Sequence, residues 1–74
     1  MQSLMNVKTG ETCTIQWLTC DPQTKSAMQS CQIEEGSTVR VINKCLGSVI
    51  IGIKEKRVAI GSEAAEGIKV SQSL

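Results

Sequence analysis

Residues 49–70, VIIGIKEKRVAIGSEAAEGIKV, contain a succession of strand and turn patterns that indicates the class of fold. The apolar run over residues 49–53 predicts a strand that is buried on both faces. The charged tripeptide 54–56 predicts a tight hairpin turn into a further strand over residues 57–60. This half of the chain is therefore predicted to be an antiparallel hairpin.

A single helical turn and a last strand complete this stretch. Ser62 is a suitable cap for a helical turn over residues 63–66, and Gly67 ends that turn. Residues 68–70 then alternate apolar and polar side chains, which predicts a short strand.

The N-terminal half has the same mostly β character. Alternation over residues 12–18 predicts a strand whose inward face carries Cys13, Ile15 and Trp17. Asp21 followed by proline is typical of a helix start, and the sequence through Cys31 favours a short helix. With a strand over residues 38–43, the chain is predicted to form a small mostly β barrel or sandwich. It would have about five short strands, a helical insertion after the first strand and a helical turn before the last.

The composition limits both the size and the chemistry of the protein. Its 74 residues predict one domain over residues 1–74, with residues 71–74 as a flexible tail. The sequence has no histidine, so no pair of a nucleophile with a histidine base can be assembled, and we expect no catalytic residues. A net charge of +1 and a single aromatic residue, Trp17, argue against a nucleic-acid binder.

The N-terminus lacks the pattern of a signal peptide, and no apolar run is long enough for a membrane helix. We therefore expect a cytoplasmic protein without direct membrane insertion, in which the cysteines are reduced thiols. Cys13, Cys20, Cys31 and Cys45 are 7, 11 and 14 residues apart, without the paired spacing of strong zinc sites. Buried core thiols are favoured over a metal site, and we expect neither a bound metal nor a cofactor. A disulfide stays open only for an exported or oxidised protein.

Several segments, taken in order, resemble the ferrous iron transport protein A (FeoA) family. They are Leu4 with VKTGE at 7–11, VRV at 39–41, RVAI at 57–60 and IKV at 68–70. The resemblance covers nearly the whole chain and is most specific at its end. It implies an SH3-like barrel in the cytosol. It also implies an accessory or regulatory role through contact with the membrane ferrous iron transporter (FeoB), which carries a GTP-binding domain.

Two departures from the family pattern concern glycine. Gln32 and Glu55 stand where the family has glycine. Each must avoid a left-handed backbone or adopt it at a cost in free energy.

Three residues are candidates for partner contact. Met28 on the helical segment and Leu46 in a turn can form a contact patch or cap the end of the barrel, because flexible apolar side chains suit both roles. For Trp17 a core position is favoured over an exposed anchor. The basic residues Lys54, Lys56 and Arg57 are interpreted as a solvated hairpin.

Two further functions are kept as alternatives. One is a thiol-based sensor or carrier of iron or zinc. The other is a regulatory domain like the SH3-like domain of iron-dependent repressors, although 74 residues are too few to add DNA-binding and dimerisation domains. Exposed strand edges would also permit a weak homodimer.

Overall fold

Six strands and two helices build the part of the chain that the computed structural model describes, residues 2–72. In chain order they are β1 (Gln2–Ser3), β2 (Thr12–Leu18), α1 (Pro22–Ser30), β3 (Thr38–Cys45), β4 (Ser48–Ile53), β5 (Lys56–Gly61), α2 (Ser62–Glu66) and β6 (Ile68–Gln72). A short 3₁₀ helix (Leu4–Asn6) follows β1. The predicted mostly β fold is confirmed, with the two-residue β1 as the strand that the sequence did not predict.

The strands form one antiparallel sheet in the order β1-β6-β2-β3-β4-β5. The domain extends 29 × 26 × 24 Å, so the sheet curls around its core instead of lying flat. Within residues 2–72, β1 and β5 end the sheet and do not pair with each other. The outer edge of β5 therefore has no neighbouring strand.

The core consists of apolar side chains from the strands, the helices and the segments that connect them. β4 shows that one face of the sheet is buried, because Val49, Ile51 and Ile53 are buried while Ile50 is only half-buried. The prediction that both faces of β4 are buried was therefore wrong for its outer face. Burying one such side chain stabilises the fold by about 1.5–3 kcal/mol. The same core takes in Leu4, Val7, Cys13, Ile15, Leu18, Met28, Ile33, Val39, Val41, Ile60, Ala65, Ile68 and Val70.

Helix α1 begins where the sequence predicts. The Asp21 carboxylate accepts hydrogen bonds from the Thr24 backbone N–H at 3.1 Å and from the Thr24 hydroxyl at 2.6 Å. These bonds, the hydroxyl bond first, hold the pKa of Asp21 below its ordinary value of 3.8. Pro22 occupies the first turn, where its missing N–H costs nothing. Capping therefore fixes the start of α1 beside the end of β2.

Trp17 does not face the core, which corrects the favoured prediction. The β2–β6 register shifts between Ile15 and Trp17, as at a β-bulge. A bulge reverses the alternation of side chains beyond it. Gln16 and Trp17 are consequently both exposed, Trp17 by 43%, and burial resumes at Leu18.

The last strand is longer than predicted. Ser71 pairs with Thr14 and Gln72 with Cys13, so these residues belong to β6 and not to a tail. The Gln16 side-chain amide also donates a hydrogen bond to the Ser71 hydroxyl at 2.6 Å. Residues 73 and 74 of the predicted tail lie outside the described residues.

The connection through α2 differs from the prediction at its cap. Gly61 precedes the helix as its cap, and Ser62 is the first helical residue, without a side-chain cap bond. Gly67 ends α2 as predicted. A Cβ at Gly67 would lie 2.6 Å from the Thr19 carbonyl oxygen, so only glycine permits this close approach of backbone to backbone.

The two residues at family glycine positions behave differently. Gln32 adopts the left-handed backbone, with φ of 67°. In the hairpin after β4 the left-handed residue is Lys54, with φ of 55°, and not Glu55. Ile53 pairs with Lys56, so Lys54 and Glu55 form a two-residue turn, and such turns require positive φ.

Candidate interaction groove

An apolar groove of about 230 Å³ lies between α1 and the free edge of β5. We call it the α1/β5 groove. Ala27, Met28 and Cys31 line it on the helix side, and residues 58–61 line it on the strand side. Ile33, Thr24 and Ala64 complete the lining.

Among the described residues that line this groove there is a single ionisable group, the Cys31 thiol. The groove therefore offers no acid–base pair for chemistry. What it offers is apolar surface, together with the backbone of β5. Of the sheet strands in residues 2–72, β5 pairs only with β4, so one edge is open for an extended segment to add to it.

Two of the three predicted contact residues are placed at this end of the molecule. Met28 is only 7% exposed and forms part of both the core and the groove lining. Leu46 is fully exposed in the turn between β3 and β4. The Ser62 backbone N–H donates a hydrogen bond to the Gly47 carbonyl oxygen at 3.0 Å, which holds the turn with Leu46 beside the end of β5.

Trp17 is not part of the groove lining. It lies on β2 opposite Lys69 of β6. The structure thus brings Met28 and the Leu46 turn to the two sides of β5, and Trp17 belongs to another strand of the sheet.

The four cysteines are spread over the fold as free thiols. Cys13 is fully buried, and burial, with a smaller contribution from the charge of Glu11, raises its pKa to about 11. Cys20 and Cys31 are half-buried against the core, and Cys45 is exposed. Among residues 2–72, no group of three or more cysteine, aspartate, glutamate or histidine side chains could hold a metal ion.

The sequence did not identify Ala27 or the backbone of residues 58–61 as parts of a site. Ala27 has no chemical signature, and β5 was predicted only as a strand. The feature that would have pointed to the groove is the position of β5 at the end of the sheet. An end strand has one unpaired edge, and α1 lies next to this edge.

The fold and the groove define the class of the protein, a small SH3-like domain with an open apolar groove. The model of the FeoA domain matches residues 2–72, and the chain therefore belongs to the FeoA family. Family membership associates it with ferrous iron transport, and this family is one of SH3-like accessory domains and not a known enzyme family.

Solved structures share this fold. The FeoA protein from Chlorobium tepidum superposes with a TM-score of 0.90 at 18% identity, over 96% of this chain and 70% of that one. An iron uptake regulatory protein (FeoA) gives 0.86 at 21% identity, over 97% and 96%. At these identities the likeness shows the fold alone.

A manganese-dependent transcriptional repressor is also similar. Its TM-score is 0.90 at 28% identity, and the match covers 97% of this chain but 41% of the repressor. No curated protein matches the chain. In residues 2–72 neither helix has the length and apolar character needed to cross a membrane.

Proposed function

We propose that the protein is a cytoplasmic accessory or regulatory protein of ferrous iron transport. It binds the cytosolic part of the membrane ferrous iron transporter (FeoB), and it acts through this contact without catalysing a reaction. The α1/β5 groove receives the partner.

The groove beside an unpaired strand edge is the observation that carries this proposal. Val58, Ile60 and Met28 contribute apolar surface, and the free edge of β5 contributes backbone donors and acceptors. An extended apolar segment can pair with such an edge while its alternate side chains enter the groove. Association of this kind needs no metal and no ionisable side chain.

The exposed Leu46 extends the proposed contact beyond the groove. Covering a fully exposed leucine at the end of β5 with a partner gains free energy, because apolar surface leaves water. Trp17 is proposed as a separate contact point on β2, since a half-exposed tryptophan is a common anchor in interfaces.

The direct test is a matched pair of charge substitutions on α1. Ala27 is exposed and lines the groove, and its neighbour Ser26 is exposed but does not line it. Ala27→Glu is expected to weaken binding of the transporter's soluble GTP-binding domain by about tenfold or more, because a buried carboxylate would lose its hydration. Ser26→Glu should leave the affinity within about twofold, since surface substitutions outside a contact have little effect.

Calorimetric titration of both variants and the parent protein with the GTP-binding domain measures the three affinities. Circular dichroism spectra of the three proteins confirm that each is folded. Equal affinities for the two variants would reject the groove as the binding surface. No binding by the parent protein would reject the GTP-binding domain as the direct partner.

A second candidate is a regulatory domain of the kind found in metal-dependent repressors. The 28% identity to the manganese-dependent transcriptional repressor favours it, because this value exceeds the identity to either FeoA structure above. Titrations with Mn²⁺ and with the transporter's soluble GTP-binding domain test the two functions. Because residues 2–72 contain no group of side chains that could hold a metal ion, saturable binding at micromolar Mn²⁺ would overturn both functions as described here. Saturable binding of the transporter's soluble GTP-binding domain favours the transport function over the regulatory domain.

A further inference from the structure

A second groove, of about 400 Å³, opens on the outer face of the sheet. We call it the Gly52 groove. Among the described residues, its lining includes three cationic side chains, those of Arg40, Lys54 and Arg57, and no acidic side chain. Arg40 comes from β3, and Lys54 and Arg57 come from the hairpin of β4 and β5, so the fold brings two segments of the sequence together.

The strand register explains why Arg40 and Arg57 lie on the two sides of Gly52. Arg40 of β3 pairs with Gly52 of β4, and Gly52 pairs with Arg57 of β5. Residues paired across neighbouring strands point to the same face of a sheet. With strands about 4.8 Å apart, the two arginine Cα atoms are roughly 10 Å apart, one on each side of the glycine.

Gly52 and the Ile42 side chain form the floor of this groove. A Cβ on Gly52 would lie 3.0 Å from Ile42 Cδ1, so the isoleucine side chain lies over the glycine. Because Gly52 carries no side chain, β4 itself places none between Arg40 and Arg57. The groove is therefore a concavity of backbone and apolar surface with cations around it.

The three cations are not neutralised by the protein itself. Within residues 2–72, none of Arg40, Lys54 and Arg57 forms an ion pair or a side-chain hydrogen bond. All three positions are exposed, so the side chains can turn toward a ligand without breaking an existing bond. Their positive potentials add in the concavity between them.

We propose that the Gly52 groove binds the diphosphate group of a small phosphorylated ligand. Guanidinium groups recognise phosphate oxygens through paired hydrogen bonds, and lysine adds a mobile positive charge. Two arginines on opposite sides of one concavity suit an anion with charged oxygens at both ends. This surface is distinct from the α1/β5 groove, so the proposal stands independently of the transporter contact.

Inorganic pyrophosphate is the probe, and amide NMR spectra of the labelled protein are the measurement. Pyrophosphate should shift Gly52 and residues 40–42 in a saturable manner. Arg40→Gln and Arg57→Gln should each weaken the binding by about tenfold, because each removes one charge-assisted contact. Lys56→Gln is the matched control, since Lys56 is an exposed cation of the same hairpin that does not line the groove.

Two controls test whether the binding is specific to this groove and to pyrophosphate. Lys56→Gln should keep the parent affinity to within about twofold, because an exposed charge outside the site contributes little. Citrate should bind more weakly than pyrophosphate. The proposal would be overturned by shifts that do not saturate, by equal weakening in Lys56→Gln, or by equal affinity for citrate.

Discussion

The two grooves share the strand β5 but are built in opposite ways. Residues 58–61 line the α1/β5 groove together with side chains of the core, whereas Arg57 belongs to the outer face with Gly52. The first groove arises because a helix lies beside an unpaired edge. The second arises because a glycine interrupts a row of side chains.

Binding surface and stability are therefore coupled in one groove and separate in the other. Met28, Ile33 and Ile60 are both groove lining and core. Arg40 and Arg57 lie outside the core. Substitutions in the two grooves should therefore differ in their effect on the free energy of unfolding.

The largest effect is expected for Met28→Ala. Removing this buried side chain should lower the free energy of unfolding by about 2–3 kcal/mol, because it leaves a cavity between α1 and the sheet. Urea unfolding followed by circular dichroism measures the change. Leu46→Ala is the control and should alter stability by less than about 0.5 kcal/mol, since Leu46 is fully exposed. Equal losses of stability in both variants would show that the buried Met28 contributes no more to the fold than the exposed Leu46.

The buried thiol of Cys13 should make stability depend on alkaline pH. Burial raises its pKa from 9.0 to about 11, so between these values the unfolded chain loses a proton that the folded chain retains. Stability from this group is fully present below pH 9 and should fall by about 2–3 kcal/mol as the pH rises to about 11.

Unfolding curves of the parent protein and Cys13→Ala at pH 8, 9, 10 and 11 check this expectation. The variant should be less stable at pH 8 but should lose less stability as the pH rises. Parallel pH profiles would show that the Cys13 thiol does not carry the effect.

A smaller gain is expected from Gln32→Gly, at the end of α1 beside the α1/β5 groove. A left-handed backbone costs a residue with a side chain about 1–2 kcal/mol, and Gln32→Gly removes this cost. Part of the resulting stabilisation is lost again, because glycine has more conformational entropy in the unfolded chain. We expect a net stabilisation of about 0.5–1 kcal/mol in thermal and urea unfolding. Gln32→Ala keeps the strained backbone and should not be stabilising. A stabilised alanine variant would show that the effect comes from the glutamine side chain.

The smallest effect is expected in the Gly52 groove. Arg40→Gln and Arg57→Gln should each change the free energy of unfolding by less than about 0.5 kcal/mol, because both side chains are exposed and unpaired in the described residues. Urea unfolding of both variants is the measurement. A decrease of more than about 1 kcal/mol in the free energy of unfolding would show that these arginines stabilise the fold.

The sequence predicted the order of the strands and helices because periodicity and capping are local properties. The Asp21 cap and the hairpin after β4 are examples. Trp17 was misplaced because the bulge in β2 depends on pairing with β6, a strand more than 50 residues further along the chain. The extension of β6 to Gln72 depends on the same pairing.

The candidate site was predicted in fragments. Met28 and Leu46 were chosen for their apolar side chains. The Leu46 turn is held beside β5 by a long-range backbone bond from Ser62 to Gly47, and Met28 reaches β5 by packing in the core. Arg57 was interpreted as a solvated cation, because its alignment with Arg40 exists only in the strand register.

Amide NMR of the labelled protein, titrated with the soluble GTP-binding domain of the transporter, tests whether the α1/β5 groove binds the partner. Shifts should cluster at Ala27, Met28 and residues 58–61 in the parent protein, and Ala27→Glu should need about tenfold more partner, or still more, to reach the same shifts. Shifts confined to Gly52 and its neighbours, or an unchanged spectrum at saturating partner, would contradict binding in this groove.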